Sequence, residues 1–229
     1  MIRDLPTTAL PAPPLDPGRR RWAERNMSLV DHGCLRLIYN NRHRLDERMW
    51  RSAQPGRLAL RWAKRRGICT ILNLRGERLD CGSYLTERDE CQALGLRLVN
   101  FPLRSRGMPE KQTLHAMAGI FDHLEYPVLM HCKSGADRAG LMSVLYLHLH
   151  KGVPMADAMR QLSLRFGHVR QARTGMLDYF LECYWRDTGG DPTRFLQWVD
   201  EVYDPVAFAQ SFHSGEVANF VVDKVLSRE

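Results

Sequence analysis

Apolar positions in this 229-residue chain fall into short runs separated by stretches of helical spacing. Three runs, Ile68 to Leu74, Leu96 to Phe101 and Val128 to His131, have the length and continuity of buried strands. Helices are predicted over Leu58 to Arg66, closed by Gly67, over Thr86 to Leu94, closed by Gly95, and over Glu110 to Leu124. Leu35 to Tyr39 and Met49 to Ser52 read as a further pair of short strands, with a turn near Arg42 and His43. Downstream, Ala139 to His150 is a strongly apolar helix. Pro154 opens another helix to about Arg165, whose buried stripe is Met155, Ala158, Met159 and Leu162. From Thr174 onward the chain is helical and aromatic, and Asp191-Pro192 and Asp204-Pro205 each pair a cap with a first-turn proline. Strands alternating with helices predict an α/β fold: a central, mostly parallel sheet of about four to five strands flanked by helices, with a C-terminal helical extension.

The segment His131-Cys132-Lys133-Ser134-Gly135-Ala136-Asp137-Arg138 lies between the last predicted strand and the helix after it. Spacing alone says little, because Cys69 to Arg75 and Cys91 to Arg97 repeat the same interval. The Cys69 copy falls in a glycine-free strand, and the Cys91 copy crosses the end of a helix at Gly95. At Cys132 a strand leads in, Gly135 sits at mid-loop and a helix follows. A loop so placed turns consecutive N–H groups inward and adds the positive end of the helix, which suits an oxyanion. In that setting, beside Arg138 and Lys133, Cys132 is expected to be largely thiolate and hence nucleophilic. Arg138 offers a planar fork for two phosphate oxygens. The plain alternative is a buried cysteine in an ordinary strand-to-helix turn.

These residues resemble the cysteine-dependent phosphatases of the tyrosine and dual-specificity type, whose signature is His-Cys-x5-Arg. The likeness extends upstream to Trp50-Arg51-Ser52-Ala53-Gln54-Pro55 and to Gly67 through Arg75, and covers about Leu35 to Phe166, as in compact bacterial and fungal members. It implies a phosphocysteine on Cys132, phosphoryl binding by Arg138 with the loop Lys133, Ser134, Gly135, Ala136 and Asp137, and an orienting, thiol-tuning role for His131. A histidine satisfied by backbone at a strand end is the bland counterpart. Two positions depart from the family. Ala139 stands where many members have Ser or Thr, so phosphoenzyme breakdown is slow or Ser134 substitutes. The loop from Pro102 to Pro109 contains no acid to protonate a leaving group. Asp137 is the nearest substitute, since Cys-x2-Gly-x-Asp-Arg is similar to the loop of myotubularin-type lipid phosphatases; a helix cap is its simpler role. Asp80 or Asp89 swinging in stays open. Arg104 and Arg106 would make the mouth positive and suit a phosphoprotein or a phosphorylated lipid or inositol. The expected division is a Pro-rich arm over 1–27, a phosphatase domain over 28–173 and a helical extension packed on it over 174–229.

The net charge of +7 favours anionic partners, including peripheral contact with an anionic membrane. The basic runs Arg19-Arg20-Arg21 and Lys64-Arg65-Arg66 belong to no nucleic-acid motif, so no nucleic acid is expected. His148 and His150, two apart, do not face one metal, and the chemistry requires neither metal nor cofactor. The six cysteines show no disulfide spacing, and the N-terminus lacks a signal-peptide core; both fit a reducing, cytoplasmic setting. A phosphatase is the leading function, and a non-catalytic phosphate reader is its rival. Oligomeric state is not legible.

Overall fold

The computed structural model describes residues 7–9, 12–29, 39–104 and 107–212. The strands are β1 (Thr7–Thr8), β2 (His43–Arg44), β3 (Met49–Ser52), β4 (Thr70–Asn73), β5 (Arg97–Asn100) and β6 (Val128–His131). They form one six-stranded sheet in the order β1-β5-β4-β6-β3-β2. The inner four are parallel, and β1 and β2 add antiparallel edges, so the sheet is slightly larger than expected. The helices are α1 (Pro17–Leu29), α2 (Arg57–Arg65), α3 (Gly82–Leu94), α4 (Lys111–Gly119), α5 (Asp137–Leu145), α6 (Met155–Ala158), α7 (Met176–Thr188) and α8 (Phe195–Glu201), and residues 205–212 are helical again.

Strand alternation assigns the two cores. Leu72, Val99, Val128 and Met130 point to one face, where they meet α5, α7 and α8. Ile71, Leu98 and Leu129 point to the other, against α2 and α3. Both faces are thus covered, which is why the inner strands read as continuous apolar runs. α3 ends where expected, because Gly95 takes φ 63° and closes the last turn in the left-handed region.

Three expectations need correction. The strand expected over Leu35 to Tyr39 falls mostly outside the described residues, and the strand that pairs with Met49–Ser52 is His43–Arg44, where a turn was expected. The N-terminal stretch expected to be extended carries α1, capped by Asp16, whose Oδ1 accepts from the backbone N–H of Gly18 at 2.9 Å and of Arg19 at 3.0 Å. The helix after Pro154 runs only from Met155 to Ala158 and breaks into short turns, with Leu162 at φ −102° and ψ 82°.

The C-terminal helices share the main core. Phe180, Tyr184, Phe195, Trp198 and Tyr203 form an aromatic cluster with ring centroids 5.1–6.5 Å apart. No helix among the described residues is long and apolar enough to cross a membrane. Because Phe180 is fully buried at the centre of the cluster, Phe180→Ala is expected to cost about 3–5 kcal/mol of stability, read from the midpoint of urea unfolding.

Candidate active site

β6 lies between β4 and β3, so the loop that follows it emerges at the C-terminal edge of the sheet centre, where α/β folds place ligands. The loop's carbonyls are all held from outside. Lys133 O accepts from Gln54 N at 3.2 Å, and Ser134 O accepts from Asn41 Nδ2 at 3.0 Å. Gly135 O and Ala136 O both accept from Arg51 Nη2, at 2.6 and 3.1 Å. A trans peptide carries its N–H opposite its C=O. The N–H groups of Ser134, Gly135, Ala136 and Asp137 therefore turn to the inner side of the loop, and α5 begins directly behind them at Asp137. Such converging N–H groups ahead of a helix have the geometry that suits an oxyanion.

Sequence reasoning quoted Arg51 without giving it a role. It is completely buried on β3, and the parallel register that sets Arg51 beside Met130 and Ser52 beside His131 delivers it beneath the loop. Its Nη1 also donates to Gln161 O and Gln161 Oε1, both at 2.9 Å, and its guanidinium carbon lies 4.3 Å from the centre of the Phe166 ring. Burial draws its pKa down to about 10, opposed by electrostatic interaction with Cys132, Tyr39 and Asp137, so it remains a fixed cation at neutral pH. Asn41 is the second support that was missed. It adopts φ 43°, a region that asparagine tolerates, and also donates to Phe166 O at 2.8 Å.

Cys132 directly follows β6 and is buried. Arg138, on the first turn of α5, places Nη1 3.4 Å from both Leu74 O and Leu103 O, so the loops after β4 and β5 converge on it. His131 is fully buried, with Nε2 2.7 Å from Glu87 Oε1 at ion-pair distance and Nδ1 3.4 Å from Cys132 O. From Glu87 a buried chain continues outward: Gln54 Nε2 donates to Glu87 Oε2 at 2.9 Å, and Arg75 Nη1 donates to Gln54 Oε1 at 2.7 Å. His131 thus has a carboxylate partner on α3 that its sequence neighbours did not reveal.

Ser134 and Lys133 are exposed on the rim. Ser134 Oγ accepts from Ala136 N at 3.4 Å. Ala139 is buried at the base of the loop. Asp137 Oδ1 lies 2.7 Å from His168 Nδ1, and His168 Nε2 lies 2.7 Å from Asp178 Oδ2. Arg104 is exposed and borders a recess lined by Leu103, Met108, Pro109, Met117 and Leu141, whereas Arg106 lies outside the described residues. Asp89 is committed elsewhere, accepting from Leu15 N at 3.1 Å and Arg20 Nη2 at 2.9 Å, and Asp80 is exposed beside Arg78.

A family model described as "DSP-PTPase phosphatase fused to NAD+ Kinase" matches residues 36–175. The probable NAD kinase 2, chloroplastic, of Oryza sativa subsp. japonica is 28% identical over 136 residues, 58% of this chain but 14% of that protein. The Arabidopsis thaliana NAD kinase 2, chloroplastic, is 30% identical over 95 residues, 41% of this chain and 10% of its own length. Among solved structures, TpbA of P. aeruginosa superimposes with a TM-score of 0.52 at 22% identity, covering 68% of this chain and 89% of TpbA. Its C132S form, in complex with pTyr, gives 0.51 over 68% of this chain and 88% of its own, also at 22% identity. Tk-PTP in its active form gives 0.50 at 20% identity over 62% of this chain and 96% of its own.

Two outcomes follow from the geometry. Gly135 takes φ 76°, and a Cβ there would sit 2.7 Å from Ala53 N and Ser52 C. Gly135→Ala is therefore expected to weaken tungstate binding by at least about tenfold, measured calorimetrically, because β3 backbone cannot yield to a methyl group. Burial works against charge on His168, but its hydrogen bonds to Asp137 and Asp178 prevail and raise its pKa to about 9. A raised folded-state value makes this stabilisation complete below about pH 6.5 and lost as pH climbs through about 9. Urea unfolding should show the parent losing up to about 3 kcal/mol relative to His168→Gln across that window.

Proposed function

The chain belongs to the family of DSP-PTPase phosphatases fused to NAD+ kinase, and we propose that its hydrolysis of phosphate monoesters runs through a phosphocysteine on Cys132. The observation that carries this reading is the outward anchoring of four successive loop carbonyls, which turns the N–H groups of the same peptides inward for the oxygens of a phosphoryl group, that of Ala136 having only a long 3.4 Å bond to Ser134 Oγ to give up. Cys132 Sγ attacks phosphorus in line with the ester oxygen, and the P–O bond breaks with its electron pair going to that oxygen. Arg138 and the loop amides hold the three equatorial oxygens, while Arg51 supplies fixed positive charge from below. Asp137 protonates the departing oxygen. Water then attacks phosphorus, a proton returns to Asp137, and the thiolate leaves. His131, backed by Glu87, fixes the strand end from which Cys132 projects.

For substrate, we favour a phosphorylated protein side chain or a phosphorylated lipid or inositol, drawn to the positive rim of Lys133 and Arg104. A nucleophilic thiol needs a reducing compartment, and we place the enzyme in the cytoplasm on that ground. The second reading, a non-catalytic phosphate reader, draws on Ala139, which brings no hydroxyl to assist the departing sulfur.

Cys132→Ser separates the two. It is expected to abolish release of phosphate from an aryl phosphate while keeping tungstate binding in the parent range, followed by phosphate release and calorimetry. Turnover retained in that variant overturns the phosphocysteine, and a parent that binds phosphorylated ligands without any turnover establishes the reader.

A further inference from the structure

His168 is gripped from both sides inside the protein. The residue is 1% exposed, and each ring nitrogen stands 2.7 Å from a carboxylate oxygen, Asp137 Oδ1 on the first turn of α5 and Asp178 Oδ2 on the first turn of α7. With an acceptor on each nitrogen, both nitrogens carry protons and the ring is an imidazolium. Its backbone is fixed as well, since His168 N donates to Ser163 O at 3.1 Å. Asp178 is buried, whereas the Asp137 side chain keeps 24% of its surface. One end of this chain is sealed in the core and the other opens beside the cradle.

We propose that His168, held by Asp178, is the positioning residue for Asp137: it fixes Oδ1, leaves Oδ2 to the departing oxygen, and steadies the carboxylate that remains after proton transfer. The proposal rests on Asp137 being the proton donor of the reaction described above. When the ester P–O bond breaks, the proton on Asp137 moves to the leaving oxygen and Asp137 acquires negative charge. That charge appears 2.7 Å from a cation already in place, so no solvent has to reorganise around it. When water attacks the phosphocysteine, its proton restores Asp137, and the S–P bond breaks with its pair going to sulfur. His168 keeps both protons throughout.

Asp178 makes this possible. Burial alone would strip the ring of its charge, and the hydrogen bonds to Asp137 and Asp178 together offset that penalty and raise the His168 pKa to about 9. Among the described residues, Arg51 lies beneath the loop and interacts electrostatically with Cys132 and Asp137, and Arg138 follows Asp137 on α5; toward α7, Glu182 faces Asp178 and is tied to Arg170 at 2.7 Å. A loop histidine and a helical aspartate distant in sequence thus reach the chemistry through one carboxyl group.

The test uses the full chain and two substrates, 4-nitrophenyl phosphate, whose leaving group needs no proton, and phenyl phosphate, whose leaving group does. For His168→Gln, kcat on phenyl phosphate should fall roughly 10–100-fold, within the range of general-acid effects, with less than about a threefold change on 4-nitrophenyl phosphate. Asp178→Asn, which keeps the side-chain shape, weakens the cation beside Asp137, so the donor keeps its proton to higher pH and the basic limb of the phenyl phosphate profile should move upward. Equal losses on both substrates would mark a structural role and overturn the proposal, as would parent-like behaviour of both variants. Should Asp137→Asn itself leave leaving-group sensitivity unchanged, the proposal falls with the assignment of Asp137 as donor, and the comparison identifies that assignment as the fault. An independent check needs no variant at His168: nitrogen NMR of the Cys132→Ser protein should show both His168 ring nitrogens protonated at neutral pH, and a neutral ring there overturns the idea even if the other variants fail to fold.

Discussion

A buried arginine under a peptide loop is the constraint on which the rest of this structure depends. Arg51 is fully desolvated, which is costly for a guanidinium, and it is retained because its N–H groups meet Gly135 O, Ala136 O, Gln161 O and Gln161 Oε1. Those bonds do two things at once. They neutralise no charge, so the cation stays to act on Cys132 and on any anion above it, and they pull two carbonyls of the cradle away from its centre. Gly135 completes the geometry, because its carbonyl can approach the guanidinium only where the backbone takes φ 76° and no Cβ stands against β3. The parallel pairing of β3 with β6 then becomes a functional requirement: a slip of one residue would turn Arg51 to the opposite face of the sheet.

That same arginine explains an irregularity elsewhere. A helix from Pro154 to about Arg165 has good periodicity, yet the chain leaves helical geometry at Leu162. Gln161 there presents both its backbone and side-chain oxygen to Arg51, and the closeness of Gly140 to Leu162 lets this segment lie directly on α5. A continuous helix would consume the Gln161 carbonyl in its own ladder. Satisfying a buried cation outweighs another turn of helix. The break also frees the chain to turn back at Gly167 and bring His168 to Asp137.

What was legible in the sequence was the part encoded locally. The three central strands announced themselves as apolar runs because both faces are covered, and the cradle stood out from its two decoys because a strand leads in, a glycine sits at mid-loop and a helix follows. Cys91 and Arg97 do prove to straddle the end of α3, and Cys69 to lead into β4. α1 was missed although its signal was present, since Asp16-Pro17 is the same cap-and-proline pair that marked the turns at Asp191 and Asp204. The surrounding prolines and arginines masked it, and among its described side chains Ala23 is the one buried, packed near α3. Arg51, Asn41 and Glu87 carried no local signal. An arginine in a short strand reads as an edge position, and only the β3–β6 register shows what it supports. His168 and Asp178 are further from legibility, because their meaning lies in a contact between one loop and two helices that only tertiary packing creates.

The C-terminal helices are best understood through that contact. α7 buries Leu177, Phe180, Leu181 and Tyr184 against the sheet, and Asp178 lies on the same element, with its orientation set by this packing. Loosening α7 would therefore act twice, exposing apolar surface and withdrawing the second carboxylate from His168. Asp178 shares with Asp137 the hydrogen bonds that hold the His168 proton against burial, so its withdrawal would lower the ring's pKa and weaken the cation beside Asp137. Packing of the aromatic cluster and the charge held beside Asp137 are thus coupled through one helix. Local opening energies differ across a fold, and α7 carries Asp178 on a helix whose buried residues include Leu177, Phe180, Leu181 and Tyr184. The site is kept rigid by the same packing that keeps the protein folded.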